Sequence, residues 1–176
     1  MTQEPYVSSK PWQFDRPHVL VVACSDGRYQ KALDEFLSQY LDITDYDRMY
    51  VPGGPGALAS STLSYFRGDQ FRQETAFLIE RHGIARVVLI FHGPLLLGGP
   101  PEAVCADYDR KMPYASHAEI HAQHEKDLQE ILRGMRRDNP GLIIEMFRAE
   151  VRADYRVQFT PLAEPADAHY LMTQST

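Results

Sequence analysis

Hydrophobic positions along this chain switch between short unbroken runs and stretches of helical spacing. Val19-Leu20-Val21-Val22-Ala23 is the first run, and His18 to Cys24 reads as a fully buried strand. Ala32, Leu33, Phe36, Leu37 and Tyr40 then recur at helical spacing. Asp47 to Val51 predicts a second short strand. It runs into Pro52-Gly53-Gly54-Pro55-Gly56, a loop of little side-chain bulk and wide backbone freedom. Helical patterns resume over Ala57–Tyr65 and Asp69–His82, with Asp69 as the expected N-cap and Gly83 as the stop.

The strongest strand pattern is Arg86 to Phe91, ending at His92-Gly93-Pro94. Residues 93–114 read as a long irregular segment containing Gly98-Gly99-Pro100-Pro101, and loops of that length in a compact domain are usually functional or disordered. A helix is expected over 115–138, closed by Gly141. Leu142–Phe147 reads as a fourth strand and Arg156–Thr160 as a fifth at the edge. Strands alternating with helices predict an α/β fold, a mostly parallel central sheet of four to five strands with helices on both faces. Residues 1–17 hold Pro5, Pro11 and Pro17 without a clean period and read as an N-terminal arm. Residues 18–176 are expected to form a single domain.

Composition narrows the classes. Of 176 residues, 44% are hydrophobic and 24% charged, ordinary for a globular chain with its own core. The net charge of −6 and the lack of a basic run argue against nucleic acid as partner. No apolar segment approaches the length of a bilayer span, and Met1-Thr2-Gln3-Glu4-Pro5 lacks the pattern of a signal peptide, so a cytoplasmic location is expected. In such a compartment two cysteines, Cys24 and Cys105, suggest thiols or metal ligands before a disulfide.

The candidate chemistry sits at strand ends. Cys24-Ser25-Asp26-Gly27-Arg28 follows the first strand, and His92 ends the third. If those strands are parallel neighbours, both side chains reach the sheet edge where open α/β folds place their ligands. Cys and His are normal zinc ligands. Arg28 can pair with Asp26 and keep it ionised. Gly53 and Gly54 could present backbone N–H groups to a small anion, or simply form a tight turn. Cys24 could alternatively be a nucleophile, although thiol-dependent phosphatases and sulfur transferases use a longer loop between Cys and Arg.

Cys24-x-Asp26-x-Arg28, Val51-Pro52-Gly53-Gly54 and His92 after a matching apolar strand together resemble the β-class carbonic anhydrases. The likeness extends from 18 to 162 by order of elements. It implies reversible hydration of carbon dioxide to bicarbonate at a zinc ion held by Cys24 and His92. It also implies Asp26 and Arg28 as catalytic residues, and a homodimer or higher oligomer with the arm exchanged between subunits. One position departs from the pattern: Leu95 stands where the family has its second cysteine, and leucine cannot ligate a metal. The third ligand would be Asp26, which the resemblance implies can bind zinc directly in some states, or Cys105 folding back from the long loop, or a histidine from His117, His121 and His124, whose spacing places them on one helix face toward the body of the protein. Otherwise nothing replaces it. The chain would then be a metal-free or altered-site relative that binds a small anion or a protein partner without hydratase activity.

Overall fold

A computed structural model describes residues 4–162. Five strands form one sheet in the order β2-β1-β3-β4-β5: β1 (Val19–Cys24), β2 (Asp47–Val51), β3 (Arg86–His92), β4 (Ile143–Val151) and β5 (Val157–Pro161). The first four are parallel, and β5 pairs antiparallel with β4 as the edge strand. This is the expected fold class at the upper end of the expected strand number.

Helices cover both faces. On one, α1 (Gln30–Gln39) lays Leu33, Phe36 and Leu37 against Val21, Ala23, Val88 and Ile90. On the other, α2 (Tyr65–Arg81), the short α3 (Ala106–Lys111) and α4 (His117–Asp138) pack over Leu20, Val22, Val87, Leu89 and Phe91. The two central strands, β1 and β3, are therefore buried on both sides, which is why they read as continuous apolar runs rather than alternating ones. Ser116 and Glu119 cap α4 reciprocally, each side chain meeting the other's backbone N–H. Gly83, at φ +64°, carries the chain away from α2 as expected.

The fold differs from the pattern in three places. Ala57–Tyr65 is not a helix. A 3-10 turn spans Gly54–Ala57, and α2 starts at Tyr65 as one continuous helix. Ala57, Leu58 and Ala59 are apolar because the turn is buried from all sides, and its polar groups are met by distant side chains. Arg72 donates to the Leu58 carbonyl, and Glu130 accepts from the amide and hydroxyl of Ser60. Asp69 consequently lies inside α2, where it accepts from Gln73 Nε2 instead of capping. The segment 93–114 is more ordered than its sequence suggests, since it contains a 3-10 turn at Pro101–Ala103 and the helix α3.

Residues 4–17 contribute no helix or strand and leave Tyr6, Val7, Trp12 and Phe14 exposed. The last part of the expected domain, residues 163–176, lies outside the described residues. Among the described residues no helix is long and apolar enough to cross a membrane.

Candidate metal centre

β1 and β3 are adjacent and in register, with Ala23 opposite Ile90. Cys24 and His92 therefore emerge side by side at the C-terminal edge of the sheet. Two glycines make room beneath them. A Cβ on Gly54 would sit 2.9 Å from the Cys24 amide nitrogen, and one on Gly53 would sit 2.5 Å from a carboxylate oxygen of Asp107. Both also have positive φ, +55° and +85°, which disfavours any other residue. The structure thus uses Gly53 and Gly54 for close packing under the strand ends.

Cys105 completes the cluster. The chain leaves β3 through Gly93, runs along the sheet edge and returns at Cys105, immediately before α3. Along the way Leu97 N donates to the buried Glu150 carboxylate, 2.6 Å away, and Gly98 bridges to Arg152. Gly99 lies so close to the Val151 carbonyl that a Cβ would be 2.3 Å from it. The donor atoms of Cys24, His92 and Cys105 then fall within 4.8 Å of one another. Leu95 is packed into the interior instead.

The electrostatics of the cluster are unequal. The Cys24 thiol is held well below its ordinary value, chiefly by the Cys105 thiol against it and further by the electrostatic effect of His92, against the opposing effect of burial. Cys105 is pushed up by the same interaction and by its own burial. Of the two thiols, Cys24 is the one that its surroundings favour as the thiolate. His92 is 5% exposed, and neither of its ring nitrogens has a hydrogen-bond partner among the described residues. Buried polar atoms are nearly always paired, so an orphaned imidazole beside two thiols calls for a ligand.

Zinc fits this donor set. Its bonds to sulfur and nitrogen are about 2.0–2.3 Å, so a tetrahedral ion spaces such donors about 3.3–3.8 Å apart, inside the 4.8 Å that bounds the separations here. Binding would release the proton held on Cys105. Three protein ligands are the usual number at a catalytic site, which keeps one position open.

Asp26 stands beside the cluster but is engaged elsewhere. Arg28 Nε donates to Oδ1 at 2.9 Å and Nη2 to Oδ2 at 2.5 Å, while the Arg28 amide also reaches Oδ1. This fork holds the Asp26 carboxyl below the usual carboxylate range. The third guanidinium nitrogen, Nη1, donates to the Glu102 carbonyl at 2.7 Å.

The three histidines of α4 do not share an environment. His117 is exposed, and His121 is half-buried with Nε2 3.7 Å from Glu125. Only His124 faces the interior, between Phe91 and Tyr108, because the helix buries nothing before Ile120. None of the three joins the cysteine–histidine cluster. Two other features carried no sequence signal: the side chain of Tyr29, packed on His92, and a set of donors gathered around Asp127. Tyr29 was findable only as the residue directly after Arg28.

No family model matches the chain, and no curated protein gives a significant match. Solved structures do. The fold is similar to that of the β-carbonic anhydrases. The β-carbonic anhydrase CafA of Aspergillus fumigatus is 15% identical with a TM-score of 0.49, over 92% of this chain and 83% of its own. A carbonic anhydrase from Streptococcus mutans is 15% identical with a TM-score of 0.48, over 86% and 87%. The apo form of a carbon disulfide hydrolase is 16% identical with a TM-score of 0.40, over 92% and 85%. Likeness at such identities assigns no residue a role, and the chemistry has to come from the side chains themselves.

Proposed function

We propose that the protein is a zinc-dependent hydratase that interconverts carbon dioxide and bicarbonate, with Cys24, His92 and Cys105 as metal ligands and Asp26 and Arg28 as catalytic residues. The observation that carries this reading is the buried Cys24–His92–Cys105 cluster with both nitrogens of His92 unpartnered. The Cys24-x-Asp26-x-Arg28 motif beside it supports the same chemistry. A bound zinc ion would supply the Lewis acidity that brings the pKa of a coordinated water down to about 7.

The remaining work falls to the chain. Cys24, the more readily ionised thiol, offers the first anionic ligand, and Cys105 offers a second once its proton leaves. Arg28 holds Asp26 charged and fixed in direction. An ionised carboxylate can only accept hydrogen bonds, so Asp26 would orient the reacting water by accepting its proton-bearing side and leave a lone pair free for carbon dioxide. Gly53 and Gly54 keep the floor beneath Cys24 tight. We also infer self-association, since Tyr6, Val7, Trp12 and Phe14 of the arm are exposed and apolar.

Metal content and carbon dioxide hydration measured on one preparation test the reading. About one zinc per chain with hydration activity is expected, both lost in Cys105→Ser. A chain free of zinc after purification and reconstitution, and inactive, would instead be the altered-site relative that binds an anion or a partner. Sedimentation of the same sample is expected to show a dimer or larger species, and a monomer at micromolar concentration overturns the self-association.

A further inference from the structure

The third ligand, Cys105, lies between the short 3-10 turn at Pro101–Ala103 and α3, and that turn has to be held against the sheet for the thiol to reach the cluster. Two consecutive residues after the Cys24 motif hold it. Arg28 Nη1 grips the Glu102 carbonyl at 2.7 Å, and the Tyr29 hydroxyl donates to the next carbonyl, Ala103, at 2.9 Å. Cys105 follows two residues later. Tyr29 is itself buried, and its ring packs on His92 with centroids 4.5 Å apart. One side chain therefore touches the imidazole directly and fixes the backbone that delivers the thiol. It stands at the start of α1, a rigid element packed on the sheet.

We propose that Tyr29 is a positioning residue that seats Cys105 against Cys24 and His92, and that in doing so it sets the affinity of the metal centre proposed above. The two halves of its role are separable. The ring orients His92, and the hydroxyl holds the loop. Tyr29→Phe keeps the first and deletes the second. Beyond Cys105 the loop is anchored independently by α3, where Asp107 pairs with Arg67 and Tyr108 donates to Asp127. Loss of the Tyr29 hydroxyl therefore loosens the approach to Cys105 without releasing the whole segment.

Two measurements on the full chain test this. The first is titration with cobalt(II) alone, following the thiolate-to-cobalt charge-transfer absorption and competing the ion off with a chelator. Tyr29→Phe is expected to bind about 10–100-fold more weakly, the range for residues that support metal ligands, with its absorption reduced toward that of Cys105→Ser. Tyr46→Phe is the control, because the Tyr46 hydroxyl bonds to Tyr50 and Asp34 and not to the Glu102–Cys105 segment. It is expected to match the wild type. The second measurement is alkylation of the metal-free protein, scored by peptide mass as the ratio of Cys105 to Cys24 labelling. Cys105 is 1% exposed in the native chain. In Tyr29→Phe that ratio is expected to rise about tenfold, whereas general destabilisation would raise labelling of both thiols. Wild-type affinity and wild-type labelling in Tyr29→Phe overturn the proposal. Absence of cobalt binding in every variant overturns the metal reading, and the labelling ratio then decides alone whether Tyr29 seats Cys105.

Discussion

Of the buried polar clusters among the described residues, one at the C-terminal edge of the sheet and one between α3 and α4 are built on opposite terms. Around Asp127, which is 1% exposed, every demand is met. Oδ1 accepts from Ser61 and Gln123, and Oδ2 accepts from Tyr108 and Lys111. Gly56 exists to let this happen, since a Cβ there would collide with the Tyr108 hydroxyl. At Cys24, His92 and Cys105 the accounting does not close, because the imidazole has donors and acceptors with nothing to meet them. A closed network rigidifies a fold, whereas an unpartnered imidazole beside two thiols gathers the donor types that a metal ion uses. The difference separates residues that hold the structure from residues that use it, although both sets are buried and polar.

The sharpest way to break that contrast is to remove one group from each. Asp127→Ala strands the Lys111 ammonium, whose side chain is only 7% exposed, and is expected to cost about 3–5 kcal/mol of stability in denaturant unfolding. A loss below about 1 kcal/mol would mean that water already satisfies Lys111 and that the cluster is not closed.

His92→Phe should act in the opposite direction. The ring still packs on Tyr29, two unpaired nitrogens disappear, and the metal-free protein is expected to be as stable as the wild type or more stable by about 1 kcal/mol. The same variant should fail to bind cobalt(II). A marked destabilisation of the metal-free form would show that His92 is structural after all.

A smaller effect concerns His124, which shares the buried, unpartnered condition of His92 but packs its ring against Phe91 and Tyr108 and lies outside the cysteine cluster. Burial holds it neutral, well below its ordinary value of 6.5. The unfolded chain therefore takes up a proton that the folded chain refuses. Stability is complete above pH 6.5 and falls as the pH drops below it, by up to about 1.4 kcal/mol per unit. Unfolding followed from pH 7.5 to 5.5 is expected to show that slope, and His124→Phe to flatten it. An unchanged slope in the variant would assign the pH dependence to another group.

Much of the site was readable before the fold. Cys24 and His92 lie at the ends of two apolar runs, and such runs become adjacent buried strands, so their meeting follows from local pattern and the rules of α/β connection. The Asp26–Arg28 pair spans two residues of one turn and needs no long-range contact. The helix boundaries failed where burial imitates periodicity. Ala57, Leu58 and Ala59 are apolar because they fill a crowded turn, not because they face one side of a helix. The histidines of α4 share one spacing but not one environment, since equal spacing along a helix does not say where its buried stripe begins.

Cys105 marks the boundary between the two kinds of information. The pattern along the chain was enough to determine the sheet, the edge where chemistry would sit and the first two donors, because each depends on residues close in sequence or on strands that pair by rule. Only the tertiary structure decided that Leu95 turns inward, that Cys105 returns to Cys24, and that Tyr29 meets it there. Those contacts join residues about 75–80 apart through a loop without periodicity. Such a loop takes its conformation from partners elsewhere in the fold, the Glu150 carboxylate, the Val151 carbonyl, Arg28 and Tyr29, and none of these is legible from the loop's own sequence.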